Sequence, residues 1–175
     1  MDIKSESRIS AAEPIVATRE RLREVGVFGG MSDDMLENLL RMLKPMRVAT
    51  GECVFREGEA AREMYVLLEG ELEVLKKSRK GRETRVAILG PSDCFGEMSI
   101  IDLQPRSATV RALSPVHLLR VSTEDMDAIY RTDLKAYAML VLNIARDISR
   151  RLRVADALVT QVTATILHEY VDKTP

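Results

Sequence analysis

The residues with the clearest chemical potential are Gly96, Glu97, Arg106 and Ser107, all within the stretch from Cys94 to Ala112. Gly96 lets a backbone approach a ligand closely, and the amides of the apolar turn that follows would point N–H groups at a negative charge. Arg106 supplies a planar guanidinium that matches a phosphate bidentately, and Ser107 adds a hydroxyl. Glu97 would repel an anion unless the ligand also brings a hydroxyl donor, such as a ribose 2′-OH. The spacing therefore predicts a site for a sugar phosphate with a free hydroxyl.

A purely structural interpretation of the same residues is also open. Glu97 and Arg106 could pair with each other on the surface of the protein. The residues from Ser107 to Val110 could then form an ordinary strand with its small side chains turned inward.

The whole stretch resembles the phosphate-binding cassette of cyclic nucleotide-binding domains, a family of bacterial regulators and kinase regulatory subunits. The family pattern is matched by Phe95-Gly96-Glu97-Met98-Ser99 and, after a variable linker, by Pro105-Arg106-Ser107-Ala108-Thr109-Val110. The resemblance implies that Glu97 accepts a hydrogen bond from the ribose 2′-OH. It also implies that Arg106, Ser107 and the amides after Gly96 hold the cyclic phosphate. The ligand-binding residues implied within the cassette are Phe95, Gly96, Glu97, Met98, Ser99, Arg106, Ser107 and Ala108.

The end of the site that would recognise the base departs from the family. Arg150-Arg151-Leu152 is similar to an Arg-Arg-Leu turn of the long helix in the bacterial regulators, which implies that Arg151 also lies at the ligand. Ala155 and Asp156 then occupy the positions of a Thr-Ser pair that touches adenine. An ionised Asp156 only accepts hydrogen bonds, so it suits the two adjacent N–H donors of guanine better than the adenine edge. We expect relaxed selectivity or a shift toward cyclic GMP, unless Asp156 simply faces solvent beside the helix seam.

Two helices are predicted before the β-rich part of the chain. The first runs from Pro14 to Val25, with the proline in its first turn and Gly26 as its stop signal. The second is capped by Ser32, presents a leucine-rich apolar face, and ends at Pro45.

After Pro45, short β-like runs alternate with glycines at intervals of about ten residues, which is typical of a sandwich or barrel. The segments around Phe55 to Gly58 and Leu68 to Leu72 resemble the β-roll of the same family. The predicted fold class is therefore mainly β with flanking helices. It consists of a double-stranded β-helix, a jelly-roll-like β-roll, over about residues 46–121. The basic stretch from Lys76 to Thr84 is interpreted as a solvated hairpin tip, with a phosphate or nucleic-acid contact as the alternative.

A capping box formed by Ser122 and Asp125 predicts a short helix from Thr123 to Tyr130, and a break near Asp133 precedes a longer helix. Apolar residues of the long helix recur at alternating steps of three and four, which predicts a seam that pairs with a second copy. The alternative is that this seam packs on the β-roll. Its members are Ala138, Val141, Ala145, Ile148, Leu152, Ala155, Val159, Val162 and Ile166.

The length of 175 residues accommodates one domain with extensions. We expect a flexible N-terminus over 1–13, a cyclic nucleotide-binding domain over 14–160 with its C-terminal helices over about 123–168, and a tail over 169–175. The chain ends at Pro175 without room for a DNA-binding domain, so we expect either a free-standing sensor or a piece of a longer protein.

The net charge, the hydrophobic pattern and the cysteine content limit the possible partners, location and metal sites. The net charge of −1 gives no electrostatic reason to expect a nucleic-acid partner. The sequence has no signal peptide and no membrane span, so a cytoplasmic location is predicted. Cys53 and Cys94 are expected to be buried reduced thiols rather than metal ligands.

The predicted function is a sensor that binds cyclic AMP or cyclic GMP, needs no cofactor or metal, and has no catalytic residues. His117 and His168 have no acid, cysteine or metal-ligand cluster at useful spacing. The long helix would pass the signal to a downstream partner that is unknown. The alternatives are a dimeric adaptor with the same fold that binds no nucleotide, and a sensor of another small anion.

Overall fold

The computed structural model describes residues 17–171, with side chains described as far as residue 166. The helices are α1 (Arg19–Glu24), α2 (Asp33–Met42), α3 (Met98–Ile101), α4 (Thr123–Thr132) and α5 (Leu134–Val171), with a 3-10 turn at Gly26–Phe28. The strands are β1 (Lys44–Val48), β2 (Cys53–Phe55), β3 (Glu63–Glu69), β4 (Leu72–Lys77), β5 (Glu83–Leu89), β6 (Cys94–Phe95), β7 (Thr109–Ala112) and β8 (Val116–Ser122).

The strands form two antiparallel sheets, with the orders β1-β8-β3-β6 and β2-β7-β4-β5. Because the chain repeatedly crosses from one sheet to the other, the two sheets close over a shared interior, as in a jelly roll. Tyr65, Leu67, Phe95, Val110 and Leu118 fill this interior. The predicted mainly β class with a jelly-roll-like β-roll is confirmed.

A layer of helices covers the outer face of the first sheet. Strand β3 is therefore buried on both faces, because Met64 and Val66 alternate with the inward residues and point into the helical layer. Leu22 of α1, Leu36 of α2 and Ile144 of α5 meet these side chains in one cluster. This second core attaches α5 to the roll.

The helix boundaries differ from the prediction at two prolines. Helix α1 begins at Arg19 rather than in the turn after Pro14, because the Thr18 hydroxyl caps it by accepting from the amide of Arg21 at 3.3 Å. Pro14 itself lies outside the described residues. Helix α2 starts after its Ser32 cap, as predicted, but ends at Met42, and Pro45 lies inside β1. A proline is tolerated there because β1 is an edge strand of its sheet.

Among the side chains described as far as residue 166, helix α5 contacts the rest of the protein along its first half. Asn143 is buried and donates to the carbonyl oxygens of Val27 at 3.1 Å and Gly29 at 2.9 Å, which fastens α5 to the 3-10 turn. Within the predicted seam, Val141 and Ile148 are partly buried against the helical core. Beyond them the seam is exposed: Leu152, Val159, Val162 and Ile166 are between 54% and 65% accessible.

Of the early seam members, Val141 and Ile148 thus pack on the body, as the alternative interpretation proposed, whereas Ala138 and Ala145 are exposed like the later ones. The backbone of α5 stays helical to Val171, three residues into the predicted tail, and the remaining residues of that tail lie outside the described part. The predicted flexible segment 1–13 also lies outside it. Within residues 17–171, no helix is both long and apolar enough to cross a membrane.

Candidate ligand-binding site

A cavity of about 380 Å³ lies between the cassette, the second sheet and α5. One wall is the segment from Phe95 to Ser99, and another is the segment from Arg106 to Ala108. Apolar residues of β4 and β5, including Val74 and Leu89, form the rest of the surface, and Arg151 of α5 closes one side. The volume is suitable for a ligand of nucleotide size.

Gly96 determines how closely the two walls of the cassette approach. It has φ of 77°, a left-handed conformation that side chains rarely adopt, and it follows directly on β6. A Cβ atom at this position would lie 2.6 Å from Nη1 of Arg106. The glycine is thus required both for the turn and for the approach of the arginine.

Arg106 is almost fully buried, at 4% accessibility, and its orientation is fixed by several contacts. Its Nη1 donates to the carbonyl oxygens of Glu63 at 2.7 Å and Gly96 at 3.0 Å. Its backbone amide donates to the carbonyl of Glu59 at 2.8 Å, and its own carbonyl accepts from Gly58 at 2.9 Å. Burial lowers the pKa of the guanidinium, although neighbouring Tyr65 and the glutamates oppose this effect.

A cluster of three aromatic rings lies beside this arginine, and two of the rings face its guanidinium. The Cζ atom of Arg106 lies 4.0 Å from the ring centroid of Phe55 and 5.7 Å from that of Tyr65. The rings of Tyr65 and Phe95 lie 5.4 Å apart, and each packs against Phe55. The Tyr65 hydroxyl donates to a carboxylate oxygen of Glu63 at 2.6 Å, and burial together with this carboxylate raises its pKa.

Glu97 is equally buried, at 4% accessibility, and its partner is Arg151. Nη1 of Arg151 lies 3.1 Å from Oε1 of Glu97, and its Nη2 donates to the carbonyl of Cys94 and to Asp147. Burial raises the pKa of Glu97, and the nearby charge of Arg151 partly offsets this effect. The suggestion that Glu97 and Arg106 pair on the surface is wrong, because both are buried and each has other partners.

Nine of the eleven predicted ligand residues line the cavity, and two do not. Phe95, Gly96, Glu97, Met98, Ser99, Arg106, Ser107, Ala108 and Arg151 all contribute to its surface. Ala155 and Asp156 lie on the exposed part of α5, outside the set of described residues that line the cavity. Both residues follow Arg151 on the same continuous helix. They do not line the cavity because α5 has already left the body of the protein at their position.

Sequence reasoning missed Phe55, Val74, Ala87 and Leu89 as cavity residues. The alternation of side chains along β4 and β5 could have indicated three of them. Val74 pairs with Ala87, and Leu72 pairs with Leu89, on the same face of the sheet. Nothing local indicated that Phe55 would reach Arg106. The cassette residues also include Cys94, whose burial raises the pKa of its thiol well above the ordinary value.

The site combines a buried cation with a buried hydrogen-bond acceptor. Arg106 attracts an anion, and Glu97, which repels one, accepts hydrogen bonds from hydroxyl groups. Ser107 adds a hydroxyl that lies 3.9 Å from the sulfur of Met98. A phosphate attached to a hydroxyl-bearing sugar satisfies both charged groups.

Comparison with known proteins agrees with this geometry. Residues 45–133 match the sequence profile of the family described as the cyclic nucleotide-binding domain. The chain is 31% identical over 152 residues to a CRP-like cAMP-activated global transcriptional regulator of Mycobacterium tuberculosis, with 84% of this chain and 66% of the relative covered. It thus spans just under two thirds of that relative's length.

Two solved structures are similar in fold and sequence. The N-terminal domain of a transcriptional regulator from Streptomyces coelicolor has a TM-score of 0.68 and 30% identity, covering 75% of this chain and 94% of that domain. The catabolite activator protein of Thermus thermophilus has a TM-score of 0.71 and 28% identity, covering 79% of this chain and 63% of that protein. The cassette, the β-roll and these relatives together establish that the chain belongs to the cyclic nucleotide-binding domain family.

Proposed function

We propose that this protein is a regulatory sensor that binds cyclic AMP or cyclic GMP and has no catalytic activity of its own. The observation that carries the proposal is that Arg106 and Glu97, both buried, line one cavity of about 380 Å³. Burying a cation and a carboxylate costs free energy even where both have hydrogen-bond partners, and these two face the same cavity. The names of the relatives, which refer to cAMP, support the same ligand class.

In this proposal the cyclic phosphate lies against Arg106 and Ser107, and the ribose 2′-OH donates to Glu97. Glu97 has two carboxylate oxygens, so it can keep its bond to Arg151 through one while the other accepts from the ribose. The base then lies toward the apolar residues of β4 and β5.

In this proposal helix α5 transmits the binding signal, because Arg151 lines the cavity and also belongs to that helix. A ligand that binds one position of α5 more tightly than another shifts the population of the two positions. The exposed part of the seam would carry this shift to a second copy in a homodimer, and from there to a downstream protein partner.

Base preference is the least constrained part of the proposal. Ala155 and Asp156 would contact the base only if α5 moves toward the cavity on binding. In that event Asp156 favours guanine, because its carboxylate can accept from two adjacent N–H donors. Loss of any cyclic GMP preference in the variant Asp156→Ala would support this role, and an unchanged preference would remove it.

The direct test is calorimetric titration with cyclic AMP and cyclic GMP of the parent protein and of Arg106→Ala. Arg56→Ala is the matched control, since Arg56 is exposed in the neighbouring loop. We expect saturable binding in the parent and the control, and loss of binding in Arg106→Ala. Because Arg106 is buried, Arg106→Lys and thermal unfolding of each variant separate lost binding from lost folding.

Absence of heat and of any thermal shift with both nucleotides would contradict the sensor proposal. The adaptor function with the same fold would then be favoured, and the search would move to protein partners.

Light scattering tests the dimer separately. Leu152→Glu introduces a charge on the exposed seam, whereas Val154→Glu introduces the same charge on an equally exposed residue outside the seam. We expect the first variant to be monomeric and the second to remain dimeric. Ile148 is a poorer choice, because it is partly buried against the body and its substitution would also disturb the fold. A monomeric parent protein would rule out the seam as an interface.

A further inference from the structure

Met98 differs from the other methionines of the protein in its exposure to solvent. It is 47% accessible and stands at the start of α3. Every other methionine between residues 17 and 166, from Met31 to Met139, is buried or partly buried. A peroxide in solution therefore reaches the thioether of Met98 with less hindrance than it meets at any of those others.

The sulfur of Met98 lies beside a hydroxyl of the ligand cavity. Met98 and Ser107 both line the cavity and both are exposed, so they lie where it opens to solvent. The Ser107 hydroxyl is 3.9 Å from the Met98 sulfur, which is the distance of a weak O–H···S hydrogen bond. This contact joins the two walls of the cassette at the opening of the cavity.

Oxidation changes the hydrogen-bonding character of this contact. Hydrogen peroxide transfers one oxygen atom to a lone pair of the sulfur: the S–O bond forms as the O–O bond breaks, the thioether becomes a sulfoxide, and the peroxide is reduced to water. A thioether sulfur is a weak acceptor, whereas a sulfoxide is polar and carries partial negative charge on its oxygen. That oxygen would accept from Ser107 and would lie beside the anion site.

We propose that Met98 is an oxidation site, and that its conversion to the sulfoxide lowers the affinity of the cavity for an anionic ligand. The sulfoxide engages the Ser107 hydroxyl and repels a phosphate. A methionine sulfoxide reductase restores the thioether, as two thiols are oxidised to a disulfide and the oxygen leaves as water. The preferential oxidation of Met98 follows from its exposure, whereas the effect on affinity rests on the proposed function.

The first experiment maps oxidation in the ligand-free protein. Dilute hydrogen peroxide is added, and the oxidised fraction of each methionine-containing peptide is followed by mass spectrometry. We expect Met98 to gain one oxygen atom several-fold faster than Met42 and Met139, which are partly buried. Equal rates at the three residues would overturn the proposal, whether or not the protein binds a nucleotide.

The second experiment measures nucleotide affinity by calorimetry before and after peroxide treatment. We expect about a tenfold loss in the parent, as for one lost hydrogen bond to a charged group. Met42→Leu is the matched control and should show the same loss. Met98→Leu has no sulfur, so peroxide should leave its own starting affinity unchanged. A loss that persists in Met98→Leu, or no loss in the parent, would overturn the proposal.

The reversal of the effect separates Met98 from the thiols. Cys53 is partly exposed, so peroxide also reaches its thiol. Dithiothreitol reduces a disulfide or a sulfenic acid but leaves a sulfoxide intact, whereas methionine sulfoxide reductase reduces the sulfoxide. We expect only the reductase to restore the affinity. Recovery with dithiothreitol alone would assign the effect to a cysteine and refute the role of Met98.

The Ser107 contact also has a readout that needs no nucleotide. In ¹H–¹⁵N spectra of the ligand-free protein, the amide resonance of Ser107 should move when Met98 is oxidised, whereas that of Gly81 in the hairpin should not. An unmoved Ser107 resonance would refute the engagement of its hydroxyl. Failure of the sensor function gives a different result, because nucleotide would then bind neither the reduced nor the oxidised protein.

Discussion

Arg151 of α5 lies 3.1 Å from Glu97 of the cassette, so the long helix and the proposed ribose site are joined by a charged hydrogen bond. The same guanidinium also binds Asp147 one helical turn earlier. Glu97 is nearly inaccessible, whereas the side chain of Arg151 is 43% accessible. The contact therefore lies at the mouth of the cavity, where ligand entry and helix position affect each other.

Removing this link should loosen α5 near the cavity. Arg151→Ala leaves a buried carboxylate without its partner, which we expect to cost about 1 kcal/mol of stability. Amide hydrogen exchange should accelerate in α5 around Asp147 and in the cassette. Arg150→Ala is the control, because the Arg150 guanidinium pairs with Asp147 at 3.3 Å and makes no hydrogen bond to the cassette among the described residues. Equal exchange in both variants would mean that the Arg151 contact does not hold the helix.

The pH dependence of stability should reveal the raised pKa of Glu97 in the ligand-free protein. The folded state binds this proton more tightly than the unfolded chain does, so the favourable contribution is complete below the ordinary value of 4.5 and declines as the pH rises through the folded pKa. Relative to Glu97→Gln, the parent should therefore lose stability as the pH increases from 4 toward 7. Denaturant unfolding at several pH values measures this difference, with exposed Glu71→Gln as the control for loss of one charge. A difference that grows in favour of the parent as the pH rises would mean that the Arg151 pair outweighs burial.

Gly96 should be sensitive to substitution for two separable reasons. Gly96→Ala places a methyl group in the left-handed region and 2.6 Å from Nη1 of Arg106. Gly81→Ala, at φ of 75°, meets open space in the hairpin and carries only the conformational cost of about 1 kcal/mol. Calorimetry should show that Gly96→Ala loses nucleotide affinity as well as stability, whereas Gly81→Ala loses only stability. If Gly96→Ala retained its nucleotide affinity, Arg106 could move away from the added methyl group without loss of binding.

The attachment of α5 to the 3-10 turn should depend on Asn143. Asn143→Ala leaves the carbonyls of Val27 and Gly29 without their donor, which should cost about 1 to 3 kcal/mol. Asn143→Asp should be worse, because a carboxylate would face the two carbonyl oxygens. Asn38→Ala on the exposed face of α2 is the control and should be nearly neutral. Denaturant unfolding distinguishes these outcomes, and equal stability of all three variants would contradict the assigned role.

The cassette could be predicted from sequence because its residues are close together and each has a recognisable role. Glu97 and Arg106 line the observed cavity, and so does Arg151, which the sequence placed on a distant helix. The partners of Arg106 could not be predicted, because Glu63 lies 43 residues away and Phe55 reaches it only through the closed roll. A local sequence pattern is enough to identify a binding residue. The contacts that orient its side chain depend on the tertiary fold and cannot be read from that pattern.

The same distinction explains the errors in the helices. The Thr18 cap was overlooked because Pro14 also fits a helix start, and only the structure decides between two valid signals. The position of Asp156 on α5 followed from helical register, but the point at which the helix leaves the body depends on packing that ends near Ile148.

The fixed point at Asn143 turns α5 into a lever. At a rise of about 1.5 Å per residue, Arg151 lies roughly 12 Å along the helix from Asn143, and Ile166 lies roughly 35 Å from it. A rigid rod that tilts about this pivot moves its far end about three times as far as the point beside the cavity. A displacement of about 1 Å at Arg151 would thus become about 3 Å at Ile166. A small adjustment at the proposed ribose site would therefore be amplified at the exposed end of the helix.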